Sequence, residues 1–192
     1  MPLAPADALT KKLKWDDFTH LDKDPPKPGG TAQAALTDVD YSYTAAKVWS
    51  DDGKKYKMSQ NPTITTRMHP DCWVANFVFD FPQAEQDELL KHEQLHYQIG
   101  VLAARDCAEG FNALQNKEYD NTQDATDEFN ALFATLDVKK IQLKYDKDTH
   151  SQPRKFPVKQ KAWATAIGLV SASKEKKLRP TLIASSLIDD TM

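Results

Sequence analysis

Polar and apolar positions along this chain follow two different periods, and the change from one to the other separates a sheet-forming half from a helix-forming half. From Thr37 to Phe79 the period is two: Val39, Tyr41 and Tyr43 alternate with polar residues, as do Ile64, Thr66 and Met68. Residues two apart share one face of a strand, so the pattern predicts an antiparallel sheet of about three to five strands. It ends in the aromatic run Trp73 to Phe79, and Asp51-Asp52-Gly53 is a turn signal between two of its runs. Ahead of the sheet, Leu13 to Phe18 reads as a short strand or a docked arm. The stretch Asp22 to Gly30, with three prolines and a Gly-Gly pair, reads as an exposed loop.

After Pro82 the alternation stops and a helical period begins. Pro82 suits a first-turn position, and Glu85, Asp87 and Glu88 sit near the positive end of the helix dipole. The helix is predicted to run to about Leu114. Its polar stripe is narrow, holding Lys91, Gln94, Gln98, Arg105, Glu109 and Asn112, while Leu89, Leu90, Ile99, Val101, Leu102, Ala104 and Leu114 spread over the rest. Such a helix belongs at the centre of the core, and its small residues Gly100, Ala103, Ala104 and Ala108 admit another element close to the backbone. A polar loop at Lys117 to Asn121 leads to a second helix, with Phe129, Leu132, Phe133 and Leu136 on its buried stripe, ending near Tyr145. Asp146 to Pro157 reads as a loop, Pro157 opens a third helix carrying Trp163 and Ile167, and residues 172–192 read as a tail or an added strand. The sum is an α+β fold in a single domain over residues 1–192, an N-terminal antiparallel sheet packed on about three helices.

Composition narrows the function classes. Basic and acidic residues number 25 and 28 and are closely mixed, for a formal charge of -3, so no basic field exists to attract nucleic acid. No apolar run approaches the roughly 20 residues that cross a bilayer, and Met1 to Thr10 lacks the order of a secretory signal, so no membrane insertion is expected. The two cysteines, Cys72 and Cys107, permit one disulfide without demanding it and read as two buried thiols.

The chemistry lies in His92-Glu93-Gln94-Leu95-His96, which satisfies HExxH inside the central helix. Residues four apart share a helix face, so both imidazoles reach one Zn2+ at about 2.0–2.1 Å. Glu93, one step round, stands beside the metal, where it takes a proton from metal-bound water. Burying two histidines and a glutamate without partners costs on the order of 1–3 kcal/mol each, and a metal satisfies all three. A third protein ligand is needed. Glu109 is excluded because it lies on the same helix, about 20 Å from His96, and Glu118 and Glu128 read as surface carboxylates. His20, His69 and His150 are the other histidines.

The string Leu89-Leu90-Lys91-His92-Glu93-Gln94-Leu95-His96-Tyr97, with Trp73 upstream, resembles the "LL-x-HEQ-x-H-aromatic" core of a bacterial family of uncharacterised domains described as predicted secreted zinc-dependent proteases. Leu13 to Phe18 is similar to that family's "L-x-W-x-D-F", and Ala35 to Thr37 to its small residue followed by Thr. Tyr145 to His150 resembles "Y-D-x-E-T-x-H", and Gln160 to Trp163 resembles "Q-x-x-W". The likeness covers about residues 13 to 168. In this chain His150 directly follows the threonine, Asp148 replaces the glutamate, and Ser151 stands where a glycine is usual.

The resemblance implies a zincin-like zinc peptidase acting on peptides or proteins in the periplasm or outside the cell. It gives Glu93 as base, with His92, His96 and His150 as ligands and Asp146 or Asp148 as the alternatives to His150. Tyr145 is a candidate hydrogen-bond donor to an oxyanion. Two other readings use the same residues: a zinc-binding or envelope-associated interaction protein without turnover, and a zinc amidase acting on cell-wall peptide.

Overall fold

A computed structural model describes residues 1–22, 33–44, 48–49, 54–58, 62–115, 117–149 and 156–192. The fold is α+β, and after the short helix α1 (Pro5–Ala8) its axis is the helix α2, Gln83–Ala113. At 31 residues it is about 46 Å long. Pro82 precedes it in an extended conformation, and the Pro82 carbonyl accepts from the Glu85 and Gln86 amides. From His92 to Phe111 no residue of the helix is exposed, because three hydrophobic clusters use three of its faces. Leu95, Ile99, Leu102 and Ala103 meet the C-terminal helices, Leu89, Tyr97 and Val101 meet the N-terminal segment and a small sheet, and Ala104, Cys107 and Phe111 meet α3 (Thr122–Ala134) and two strands.

The predicted sheet exists as three small ones. Strands β1 (Thr19–Leu21), β2 (Ala35–Leu36) and β7 (Trp73–Ala75) form the first in the order β1-β7-β2, with β1 parallel and β2 antiparallel to β7. A second pairs β3 (Val39–Tyr43) with β6 (Ile64–Met68), antiparallel, with Val39 opposite Met68. The third orders β4 (Val48–Trp49), β5 (Tyr56–Met58) and β8 (Glu118–Tyr119), all antiparallel. Leu13 and Phe18 are buried as expected of a docked arm, but Trp15–Asp17 between them is a 3-10 turn. The aromatic run after Ala75 likewise turns as a 3-10 helix, Asn76–Asp80. The predicted loop over Asp22 to Gly30 and the turn at Asp51 to Gly53 fall largely or wholly outside the described residues.

Three helical expectations are corrected. The second predicted helix is two, α3 and α4 (Lys139–Thr149), and Asp137 at the break accepts the Lys139 amide. Asp146 to Thr149, read as loop because it is polar, completes α4: Asp146 and Asp148 turn to other side chains and Thr149 donates back to the Tyr145 carbonyl. Residues 172–192 are neither tail nor strand. They contain the helix α6, Leu178–Ala184, following α5, Pro157–Ser171. Ser186, at φ 55°, ends α6 with the paired bonds Leu187 N–H to Leu182 C=O and Ser186 N–H to Ile183 C=O, which seats Leu187 and Ile188 in the core. Arg105, assigned by pattern to the solvated stripe, is buried under this segment and donates to the carbonyls of Val170, Ser173 and Lys176. The next residue, Asp106, accepts the first amide of α6.

Gly100 is where β3 crosses α2. A Cβ there would lie 2.7 Å from Val39 Cγ2, and Tyr41 donates to the Gly100 carbonyl at 3.2 Å. At Gly168 on α5 a Cβ would meet nothing within 4 Å. Both glycines are helical, so alanine gains the same propensity of about 1 kcal/mol at each. Gly100→Ala should nevertheless destabilise by roughly 1–3 kcal/mol through overpacking, whereas Gly168→Ala should stabilise by about 0.5–1 kcal/mol. Urea unfolding of the two variants reads the opposite signs.

Candidate metal centre

Helix α2 brings His92 and His96 to one face a turn apart, and α4 packs a complementary face against them. On α4, Gln142, Tyr145, Asp146 and Thr149 fall at spacings of three and four and so share one side. Between the two helices the donor atoms converge. His92 Nε2 lies 3.2 Å and His96 Nε2 2.9 Å from Asp146 Oδ1, and the two Nε2 atoms are 3.1 Å apart. Among the described residues this is the one group of three metal-capable side chains within 4.8 Å of one another. His92 and His96 are 1% and 6% exposed, whereas the Asp146 side chain keeps 36%, so the group opens to solvent on the α4 side.

The protons of the two rings follow from their other nitrogens. Gln142 Nε2 donates to the His96 carbonyl at 3.0 Å, a group that can only accept, so Gln142 Oε1 is the atom facing His96 Nδ1. His92 Nδ1 faces Gln160 Oε1 at 3.5 Å, and that oxygen also accepts the Tyr145 hydroxyl at 2.9 Å. The Gln142 pairing puts hydrogen on His96 Nδ1, and donation from His92 Nδ1 to Gln160 Oε1 would do the same for the other ring; as neutral imidazoles in that tautomer the two point lone pairs at a carboxylate oxygen. Three acceptors so placed need a cation among them. Without a metal, a proton fills the role: burial of His96 opposes its protonation, but the hydrogen bond and charge of Asp146 prevail, and its pKa is pushed up to about 9. Burial would raise the Asp146 carboxyl, yet the His92 and His96 rings that face it hold it well below the usual carboxylate range.

The donor set fits a divalent ion. In tetrahedral coordination at about 2.05 Å, ligand atoms stand about 3.3 Å apart, close to the separations found here. Two imidazoles and one carboxylate leave a fourth position open, so these residues could hold a metal.

Glu93 follows His92 on α2. It is 4% exposed, and its charge bears on both His96 and Cys72. Among the described residues no hydrogen bond or ion pair holds its carboxylate.

Of the candidate third ligands, α4 brings Asp146 into the group. Asp148, two residues on, turns away to Lys144 and to Trp163 Nε1 at 3.0 Å, and His150 lies outside the described residues. Tyr145 stacks on the His92 ring at 4.6 Å between centroids, with burial raising its phenol far above the ordinary value. Its hydroxyl donates to Gln160, which makes it a wall of the site.

The other candidates are elsewhere. His20 stacks on Phe79, His69 faces Asp40, Glu109 binds Lys177, Glu118 binds Lys57 and Glu128 binds Lys117. The cysteines are free and buried in different clusters. A cavity of about 370 Å³ between α2, α3 and α6, walled by Gly110, Leu132 and Pro180, includes none of the site residues.

Gln142 was not singled out by sequence pattern. The available signal was a glutamine four residues before an aspartate on a helix face whose other members, Tyr145 and Thr149, are fully buried. No helix among the described residues is long and apolar enough to cross a membrane. No protein-family model, curated protein or solved structure matches the chain.

Proposed function

We propose that this protein is a zinc-dependent peptidase that hydrolyses peptide bonds with Glu93 as general base. One observation carries the reading: His92 Nε2, His96 Nε2 and Asp146 Oδ1 converge within 3.2 Å of one another, beside a buried Glu93, in the order HExxH. Zinc is favoured among divalent ions by two neutral imidazoles, one carboxylate and an open fourth position.

A zinc ion held there supplies Lewis acidity toward a scissile carbonyl and brings its water's pKa toward neutrality. His92 and His96, fixed on one rigid helix, and Asp146, supplied by a second, would hold the ion where the group opens to solvent. Glu93 takes a proton from the attacking water and returns it to the leaving amine nitrogen. Tyr145 keeps its proton and holds the plane of His92. The substrate is a peptide or protein, and the motif resemblance favours action in the periplasm or outside the cell.

Purified without a histidine tag, the protein should carry about one zinc per chain. It should cleave casein-like substrates, lose that cleavage to a chelator and regain it with added zinc. Absence of zinc binding, or cleavage indifferent to the chelator, sinks the reading. Bound zinc with cleavage of cell-wall peptide alone would reassign it as an amidase, and bound zinc with no cleavage would make it a zinc-binding protein.

A further inference from the structure

We infer that Gln142 and Gln160 are positioning residues of this centre: their side-chain carbonyls accept the Nδ1 protons of His96 and His92 and so aim each Nε2 at Asp146. The inference rests on the metal-centre reading and adds the groups that prepare its two rings. Gln142 grips both ends of His96, accepting from the ring Nδ1 and donating to the backbone carbonyl at 3.0 Å. A half-buried amide on this face would be costly with either end unpaired, and both ends are paired. A leucine would fill the same space without holding the ring.

Gln160 acts on His92 from the opposite helix, α5. Its Oε1 lies 3.5 Å from His92 Nδ1 and takes the Tyr145 hydroxyl at 2.9 Å, while the Tyr145 ring stacks on the imidazole with 20° between planes. His92 is thereby held in plane by the phenol and in rotation by the amide. Both acceptors are neutral. Outer partners of metal-binding histidines fix tautomer and ring orientation and raise ligand basicity, and an amide does so without adding charge. Asp146 is then the one negative ligand in the group of three.

The test uses the full chain, with Gln142→Leu, Gln142→Glu and Gln160→Leu. Two quantities are read: zinc affinity by competition with a chromophoric chelator, and the ring Nδ1–H resonances of His92 and His96 by proton NMR. Gln142→Leu should weaken zinc binding by about 10–100-fold and lose the slowly exchanging His96 Nδ1–H signal. Gln142→Glu, whose carboxylate accepts the same ring proton but gives up the donation to the His96 carbonyl, should keep the Nδ1–H signal and weaken zinc binding less than Gln142→Leu does. Gln160→Leu should do to His92 what Gln142→Leu does to His96, and it carries the test should Gln142→Leu fail to fold by circular dichroism.

Leucine variants that bind zinc like wild type overturn the assignment, as do variants that lose zinc while their Nδ1–H signals persist. A wild-type protein that binds no zinc fails the metal reading instead. The Nδ1–H signals of the metal-free protein then decide for the glutamines: selective loss in the leucine variants upholds them, and no change overturns them.

Discussion

Replacing Glu93 with Gln should leave zinc in place and slow peptide hydrolysis by about 10²–10⁴-fold, the usual contribution of a positioned general base. The substitution exchanges one carboxylate oxygen for an amide nitrogen of nearly the same size, so the 4% exposed site loses little packing. What it removes is the capacity to accept a proton. Glu93 is suited to the comparison because no described residue holds its carboxylate in a hydrogen bond or ion pair, so no contact with a described residue breaks with it. The loss should fall on kcat with KM nearly constant, since a base acts in the transition state and adds nothing to ground-state binding. Zinc stoichiometry and steady-state rates on one peptide substrate read both halves. Undiminished turnover would reject Glu93 as the base, whereas loss of zinc would move it among the ligands.

Asp146→Ala should cost zinc binding about a hundredfold or more. Zinc sites built from four protein ligands contribute about 10–16 kcal/mol, or roughly 3 kcal/mol per ligand, and 1.4 kcal/mol is a factor of ten. Asp146 is the carboxylate that both Nε2 atoms face, at 3.2 and 2.9 Å. Asp148→Ala is the contrasting variant, because its carboxylate is spent on Lys144 and Trp163; it should keep its zinc and lose some fold stability. His150→Ala completes the set. Zinc retained by Asp146→Ala and lost by His150→Ala would make the histidine the third ligand and dismiss the aspartate.

The central helix was legible because local signals agree: Pro82 at its start, acidic residues in its early turns, and an apolar pattern too broad for a surface helix. The prediction of Pro82 to about Leu114 meets Gln83–Ala113 in the structure. HExxH was legible for the same reason, since spacing alone places His92 and His96 on one face. The sheet was readable as strands but not as sheets, because period two reports which side chains share a face and is silent on which strands pair; β1 joins β7 across 51 intervening residues. Asp146, Asp148 and Thr149 misled as a polar run. Polarity marks a loop when the groups face water, and here Asp146 faces two imidazoles, Asp148 faces an indole N–H and Thr149 bonds back to the Tyr145 carbonyl. Arg105 misled in the same direction, its burial depending on a segment more than 60 residues later in the chain.

The ligand group draws two members from one helix and its third from another, 50 residues further along. An ion bound there would be a cross-link between α2 and α4 that closes a loop of that length, and because the three ligands come together only in the folded chain, binding would favour that state by mass action. Loading the centre would suppress excursions in which the two helices part. Loss of the ion would free them first at this seam, so protease resistance and hydrogen exchange along α4 would follow metal supply in the surroundings.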